Sequence, residues 1–364
     1  MSAVPGFVRL LAGTLPVAGV VLGGLLPSAD PCQETIGAHA AGVELVFAPR
    51  PQTTLAKRFD FESHLALEEC TVNGREFGFG GWRVQLASSL RLTDEYEVVA
   101  DGAPRDFVRR FGSASGKWWW NDHPTDILGF FGLLGVEVRF TWDTERGEFR
   151  RGVIGAAFPG CDLACLPEDM ELRGLLPPEA PVVGDRWVAS GRGVVDALWA
   201  STAAGLCAAP EASEDERLVQ RVLLPPLSTL AGEKLRVDCR FLGTAPDQDV
   251  AIQRIGLAIE DRIEVDLTEL ANEYVLQSTW WHGPAPVKRL VAHWNLHGKG
   301  TLDWDTAGRH FSEFGLALDV RLEIRCELDF TGREFDIAML WEGESSWASL
   351  AERIEPEVSV RASR

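Results

Sequence analysis

The stretch Phe314-Gly-Leu-Ala-Leu-Asp-Val-Arg-Leu-Glu-Ile-Arg-Cys-Glu-Leu-Asp-Phe330 decides the fold. Its even positions, Phe314, Leu316, Leu318, Val320, Leu322, Ile324, Cys326, Leu328 and Phe330, are all apolar. From 319 onward its odd positions read Asp319, Arg321, Glu323, Arg325, Glu327 and Asp329. A strand turns successive side chains to opposite faces, so this run has one apolar and one charged face. A helix, with its 3.6-residue period, cannot sort the residues that way. The pattern specifies an antiparallel sheet packed on one side and wet on the other. The seventeen residues of this run would extend roughly 55 Å at about 3.3 Å each, well beyond the usual five or six. A strand that long bends, and Gly315 or a bulge is the expected place for the curvature.

Working outward, Ala292, Trp294, Leu296, Leu302 and Trp304 share one parity, and the turn Asp305–His310 joins them to the run above. Residues 291–330 therefore read as one long hairpin. Phe59, Phe61, Leu65 and Leu67 alternate with polar residues, and Asn73-Gly74 supplies a two-residue hairpin turn. Val136, Val138, Phe140 and Trp142 alternate next, with a return strand near Phe149–Ile154, and Phe335, Ile337, Met339 and Trp341 mark another strand. Helices are few. Ser213-x-x-Glu216 is a capping box ahead of an apolar run stopped by Pro225-Pro226, and short helices are expected at Pro124–Leu134 and Ser345–Ile354.

The fold class is mostly β: large curved antiparallel sheets, half-barrel or barrel-like, with long hairpins and a few short helices. The expected layout is a signal peptide or N-terminal anchor at 1–40 and a β subdomain at 41–165. A Pro-rich connector at 166–183 then leads to a second β subdomain at 184–364. An outer-membrane barrel fits less well, because too few segments show its roughly ten-residue strands with lipid-facing apolar side chains.

Composition bounds the function. The chain is 46% hydrophobic and 24% charged, a globular balance, and its net charge is −19. That excess of acid argues against nucleic acid and anionic membrane surfaces, which need clustered Lys and Arg. Arg9 is the only charge before Asp30, and Leu10–Leu26 is an uncharged apolar run. The pair reads as a secretory signal, with Ala38-His39-Ala40 as a cleavage site. Left uncleaved, the run would be the protein's one membrane contact. The protein is therefore expected to be exported: periplasmic, cell-surface or secreted. Seven cysteines stand at 32, 70, 161, 165, 207, 239 and 326. Loss of Cys32 with the signal leaves an even number, which permits up to three disulfides, with Cys161 and Cys165 placed to close a small loop. Cys326 falls on an apolar strand face and reads as a buried small hydrophobe.

The connector Leu175-Leu-Pro-Pro-Glu-Ala-Pro181 leads into Pro181-Val-Val-Gly-Asp-Arg-Trp187. This lead-in to Val-Gly-Asp-x-Trp resembles a pattern in uncharacterised exported β-rich proteins of bacteria. Asp101-Gly-Ala-Pro-Arg105, Arg109-Arg-Phe111, Asp169-Met170 and Leu175-Leu-Pro177 add to the likeness, which covers about half the chain. It implies an envelope or secreted β-protein and carries no activity and no functional residues.

The familiar catalytic signatures are absent. Gly112-Ser-Ala-Ser-Gly116 has alanine where a nucleophile elbow places serine, and Gly112–Lys117 is one residue short of a phosphate loop. No cofactor is expected. His293 and His297 are the most metal-like pair, yet four strand residues separate them by about 13 Å, too far to share one zinc ion. Solvated strand histidines are the simpler account. Carboxylates at 303, 305, 313, 319 and 323 line the wet side, where Arg321 and Arg325 suggest cross-strand charge pairing.

Thirteen tryptophans against two tyrosines are the better clue. Trp118, Trp119, Trp120, Trp280 and Trp281 sit in runs that a strand cannot turn all one way. Some of them would meet a flat apolar or sugar ligand. Three functions follow as expectations. The first is a non-enzymatic exported protein binding a hydrophobic or carbohydrate ligand, or a protein partner, on a concave face. The second is a secreted hydrolase of glycan or ester bonds using His293 or His297 with Asp303. The third is a purely structural surface protein.

Overall fold

A computed structural model describes residues 42–77, 81–121, 123–126, 133–155, 163, 166–168, 170–191, 234–246, 251–277, 283–284, 286–330 and 332–354. Thirteen strands form one antiparallel sheet. In chain order they are β1 (Thr53–Val72), β2 (Arg75–Glu76), β3 (Arg83–Ala100), β4 (Ala103–Trp120), β5 (His123–Asp126), β6 (Glu137–Asp143) and β7 (Glu148–Val153). Then come β8 (Arg186–Ser190), β9 (Arg236–Thr244), β10 (Ile252–Asp266), β11 (Val287–Asp305), β12 (His310–Phe330) and β13 (Arg333–Ile354). An α-helix, α1 (Thr268–Gln277), packs on β11 and buries Ala271, Tyr274 and Val275.

The spatial order is β7-β6-β4-β3-β1-β13-β12-β11-β10-β9-β8, with β2 on β1 and β5 on β4. Most neighbours follow one another along the chain, β1–β3 and β4–β6 with only the short β2 and β5 between them. The exception is β1 with β13, which pair from Thr54↔Ile354 to Val72↔Ile337 and join the two ends of the chain at the middle of the sheet. The free edges are therefore β7 and β8, which are consecutive in sequence. Among the described residues they do not pair, so the sheet curves without closing, and the chain from 154 to 185 spans between its edges. The expected connector at 166–183 is part of that span.

The expected long hairpin is present: β11 and β12 pair from Asp305↔His310 to Val287↔Leu328. The alternation of Phe314 to Leu328 holds residue by residue, each even position buried and each odd one more exposed. Asn73 and Gly74 both have positive φ (52° and 70°), as a type I′ turn requires, and they connect β1 to β2. Two helix expectations fail. Ser345–Ile354 is the second half of β13, because Ser345, Trp347, Ser349 and Ala351 alternate inward and pair with β1. Pro124–Asp126 belongs to β5, and the helix read at the Ser213 capping box lies outside the described residues.

Curvature is not taken up at Gly315, where an added Cβ would meet nothing closer than Trp347 O at 4.0 Å. It concentrates on the flanking strands. A Cβ at Gly298 would stand 1.9 Å from Ala317 O, one at Gly300 2.3 Å from Gly315 O, and one at Gly343 1.9 Å from His64 O. These three glycines let β11 crowd β12 and β13 crowd β1. Ladder slips at Leu67/Glu69, Asp303/Trp304 and within β3–β4 add further bends.

Cys70, Cys239 and Cys326 are buried free thiols. A framework of three disulfides is therefore excluded, and Cys161 and Cys165 lie outside the described residues. Burial pushes the Cys70 thiol up to about 11. Burial, aided by Asp238, pushes Cys239 up to about 12, and burial also raises Cys326. Thiolate is the reactive form, so these residues are inert in the folded state. Peptides carrying Cys70, Cys239 and Cys326 are expected to escape iodoacetamide at pH 7.5 and to be labelled in denaturant, as read by peptide mass spectrometry.

Candidate functional site on the inner wall of the sheet

The buried face of the sheet is apolar over most of its area, and two groups of buried polar residues stand out on it. The first is near the β3–β4 turn. Lys57 on β1, Asp94 and Tyr96 on β3, and Arg109 on β4 all point inward and are buried. Asp94 accepts a bidentate pair from Arg109 (2.8 and 2.9 Å) and a hydrogen bond from Lys57 at 2.5 Å. Glu171, from the span between β7 and β8, enters this cluster and accepts hydrogen bonds from Lys57 and Tyr96. Two cations and two carboxylates thus balance in a dry site.

The same span is held elsewhere. Arg109 donates to Pro167 O at 2.6 Å, Arg151 to Leu166 O at 3.1 Å, and the Trp187 indole to Leu175 O at 3.0 Å. Leu166, Met170, Leu172 and Leu175 are buried on the inner wall. Residues 166–168 and 170–176 therefore form a strap on the inner wall that touches β4 and both edge strands, β7 and β8. Leu172, beside Glu171, has φ of 56°, a left-handed conformation that a leucine adopts only where its surroundings hold it. A second extended segment, residues 42–52, closes the same end. Val43 donates to Pro181 O, Ala48 to Arg309 O and Gln52 to Tyr96 O, while Phe47 packs edge-on against Tyr96 at 5.3 Å.

Burial alone would raise the Asp94 pKa. Arg109 and Lys57 outweigh it and hold the carboxyl at about 2. Tyr96 is pushed well above 10 by burial and by the charges of Glu171 and Asp94, so its phenol stays protonated and can donate. A carboxyl whose folded pKa lies below its unfolded value near 3.9 stabilises the fold above that value. The contribution is lost as pH falls toward 2. Unfolding in urea is therefore expected to lose about 2–3 kcal/mol of stability as pH falls from 5 toward 2, a step that Asp94→Asn abolishes.

The second polar place is at the centre of the wall. Ser63 on β1 faces Ser345 on β13, and their hydroxyls hydrogen-bond. In the next inward-facing register row, Ser88 on β3, Phe61 on β1 and Trp347 on β13 stand side by side. Phe61 and Trp347 stack at 5.0 Å. The Ser88 hydroxyl and the Trp347 indole N–H are buried without a hydrogen-bond partner, as are the indole N–H groups of Trp294, Trp304 and Trp341. An unmet buried donor costs about 1–3 kcal/mol, and native folds hold few of them. The four indoles occupy β11 (Trp294, Trp304) and β13 (Trp341, Trp347), either side of β12.

The outer face is charged. A depression of about 430 Å³ at the glycine crease is lined by Asn295, His297, Asp319, Arg321, Glu342 and Glu344, among others. Its charges pair locally: Arg321 with Glu342 at 2.6 Å and His297 with Glu260 at 3.5 Å.

The residues singled out by sequence fall as follows. Trp118–Trp120 end β4 and pair with β3 from Val84↔Trp120 to Leu86↔Trp118, while their side chains, with Trp280 and Trp281, lie outside the described residues. His293 and His297 lie on the outer face, each across from a glutamate of β10, Glu264 and Glu260. Among the described residues no group of three His, Cys, Asp or Glu is arranged to hold a metal ion. Asp303 does not meet either histidine; it is buried and receives a bidentate pair from Arg254 at 2.6 Å. Sequence reasoning passed over Lys57, Asp94, Arg109 and Glu171. Lys57 interrupts the inward parity of Leu55, Phe59 and Phe61, and that break was the available signal.

No family model matches the chain, and no curated protein matches it. Among solved structures, an outer membrane channel from Pseudomonas putida F1 aligns at 7% identity, covering 84% of this chain and 98% of that one, with a TM-score of 0.21. Acinetobacter baumannii OccAB4 aligns at 7% identity over 84% of this chain and 99% of its own, with a TM-score of 0.16.

Proposed function

We propose that this is an exported, non-enzymatic envelope protein that holds a hydrophobic ligand against the inner face of its curved sheet. The observation that carries the reading is an apolar inner wall on a sheet whose two edges are bridged by a strap instead of by strand pairing. Such an edge gap opens by releasing side-chain contacts, without breaking a ladder. The apolar leader-like run at Leu10–Leu26 supports export. A hydrophobic ligand is preferred to a sugar because the wall offers large apolar side chains and few hydroxyls. The hydrolase reading loses its acid–base pair, since Asp303 is taken up by Arg254.

The test is extraction of the detergent-free protein purified from its own envelope fraction, followed by mass spectrometry of the organic phase. A stoichiometric apolar compound is expected. An empty extract, together with no uptake of radiolabelled long-chain compounds by the purified protein, would leave a purely structural role.

A further inference from the structure

Resting on that reading, we propose that the ligand is an aliphatic monocarboxylate, and that Glu171 occupies its carboxylate subsite from within until the ligand displaces the strap. The subsite is built and already holds a carboxylate. Oε1 of Glu171 accepts from Lys57 Nζ and from the Tyr96 hydroxyl. Both donors belong to the sheet, Lys57 on β1 and Tyr96 on β3. Lys57 also donates to Asp94 at 2.5 Å and to the Tyr96 oxygen at 2.8 Å. Arg109 on β4 holds Asp94 through two bonds of 2.8 and 2.9 Å. These contacts involve no strap residue, so the subsite stays assembled when the strap leaves.

Charge selects the occupant. Lys57, Arg109, Asp94 and Glu171 are all buried, and their charges cancel. Withdrawing Glu171 leaves one excess positive charge in a dry site, which is strongly unfavourable unless an anion replaces it. A monocarboxylate restores neutrality and accepts the same two hydrogen bonds. An alcohol leaves the charge unmet, and a phosphate monoester, at about −1.5 to −2, exceeds it. The neighbours of Glu171 set the body of the ligand. Met170 and Leu172 flank it in the chain and are buried on the inner wall with Leu166 and Leu175. A flexible aliphatic chain behind a carboxylate reproduces that head and body, and it takes the strap's own volume while the wall beneath stays packed.

The strap is the displaceable piece. Its backbone hydrogen bonds are local: Leu166 N–H to Leu163 O, Leu175 N–H to Leu172 O and Leu176 N–H to Arg173 O. Arg109, Arg151 and Trp187 reach it from the sheet through their side chains. Its departure therefore breaks no strand pairing. It also frees Leu172 from a left-handed backbone, φ 56° and ψ 26°.

The test uses the full chain with radiolabelled decanoate, decanol and decyl phosphate at neutral pH and equal ionic strength. Decanoate is expected to bind roughly tenfold more tightly than decanol, the usual size of a hydrogen bond to a charged group. Its binding should also open the strap to a nonspecific protease. Glu171→Gln removes the competing charge and is expected to tighten decanoate by roughly tenfold again. Glu171→Ala empties the subsite, and acetate is expected to raise its melting temperature above that in matched chloride, with no such effect on the parent. Decanoate bound no better than decanol, decyl phosphate bound more tightly than decanoate, or decanoate bound with the strap still protected would each overturn the carboxylate assignment while the hydrophobic-ligand reading stood. Equal melting temperatures of Glu171→Ala in acetate and chloride would do the same. Should that variant fail to fold, Glu171→Gln decides, and an unchanged decanoate affinity there overturns the assignment. Failure of all three compounds to bind either the parent or Glu171→Gln would remove both.

Discussion

Asp94→Ala is expected to destabilise the protein by about 3–5 kcal/mol, the usual consequence of removing one partner from a buried ion cluster. The size follows from what is left behind. Arg109 is buried and gives Asp94 two of its hydrogen bonds, and Lys57 is buried and gives it a third. Without the carboxylate, both cations stay in a dry site with Glu171 as the one remaining counter-charge. The effect should also be local in character. Arg109 anchors the strap through Pro167 O, and Lys57 anchors it through Glu171. Cleavage by a nonspecific protease is therefore expected to appear first between 166 and 176. Urea denaturation gives the stability loss, and a time course of proteolysis gives the site. A loss under 1 kcal/mol with the parent cleavage pattern would show that the cluster does not hold the strap.

Gly343→Ala is the second large effect. The new methyl would sit 1.9 Å from His64 O and 2.9 Å from Leu65 Cα, both backbone atoms, so no side-chain rotation relieves it. Strands β1 and β13 must separate there. Their ladder is the one joining β3, β4, β6 and β7 to the strands from β8 onward, so the cost falls on the junction of the whole sheet. Overpacking typically costs about 1–3 kcal/mol, and this position should reach the top of that range. Gly152→Ala in β7 is the control. An added Cβ there meets nothing within 4 Å, and its effect should stay within about 0.5 kcal/mol. Thermal unfolding of the two variants side by side checks the contrast.

Much of the architecture was legible because a strand's period of two is written locally. Phe314–Phe330, Trp294 with Trp304, and Ile337 with Met339 and Trp341 each announce an inward face without knowledge of any partner. The turn at Asn73-Gly74 is equally local, since it needs positive φ at both residues. The reading failed where two local patterns compete. Ser345–Ile354 has good helix formers, and its alternating small residues look unremarkable until β1 pairs with them across 280 or so residues of chain. The curvature was expected and its position was not, because Gly315 and Gly343 are indistinguishable in sequence. They differ in which neighbouring backbone comes close.

The functional surface divides the same way. Sequence determined that one face of each long strand is apolar, that the chain is acidic, and that a charge-free run precedes the sheet. Each follows from composition or from a two-residue period. Tertiary structure alone decided that β1 meets β13, that the two free edges are consecutive strands, and that Glu171 reaches Lys57 from 114 positions away. It alone decided that Ser88 and Trp347 flank one phenylalanine. Hydrogen-bond satisfaction is a property of neighbours in space. A lone serine or tryptophan carries no mark of whether its donor will be met, and the pairing of distant strands settles it.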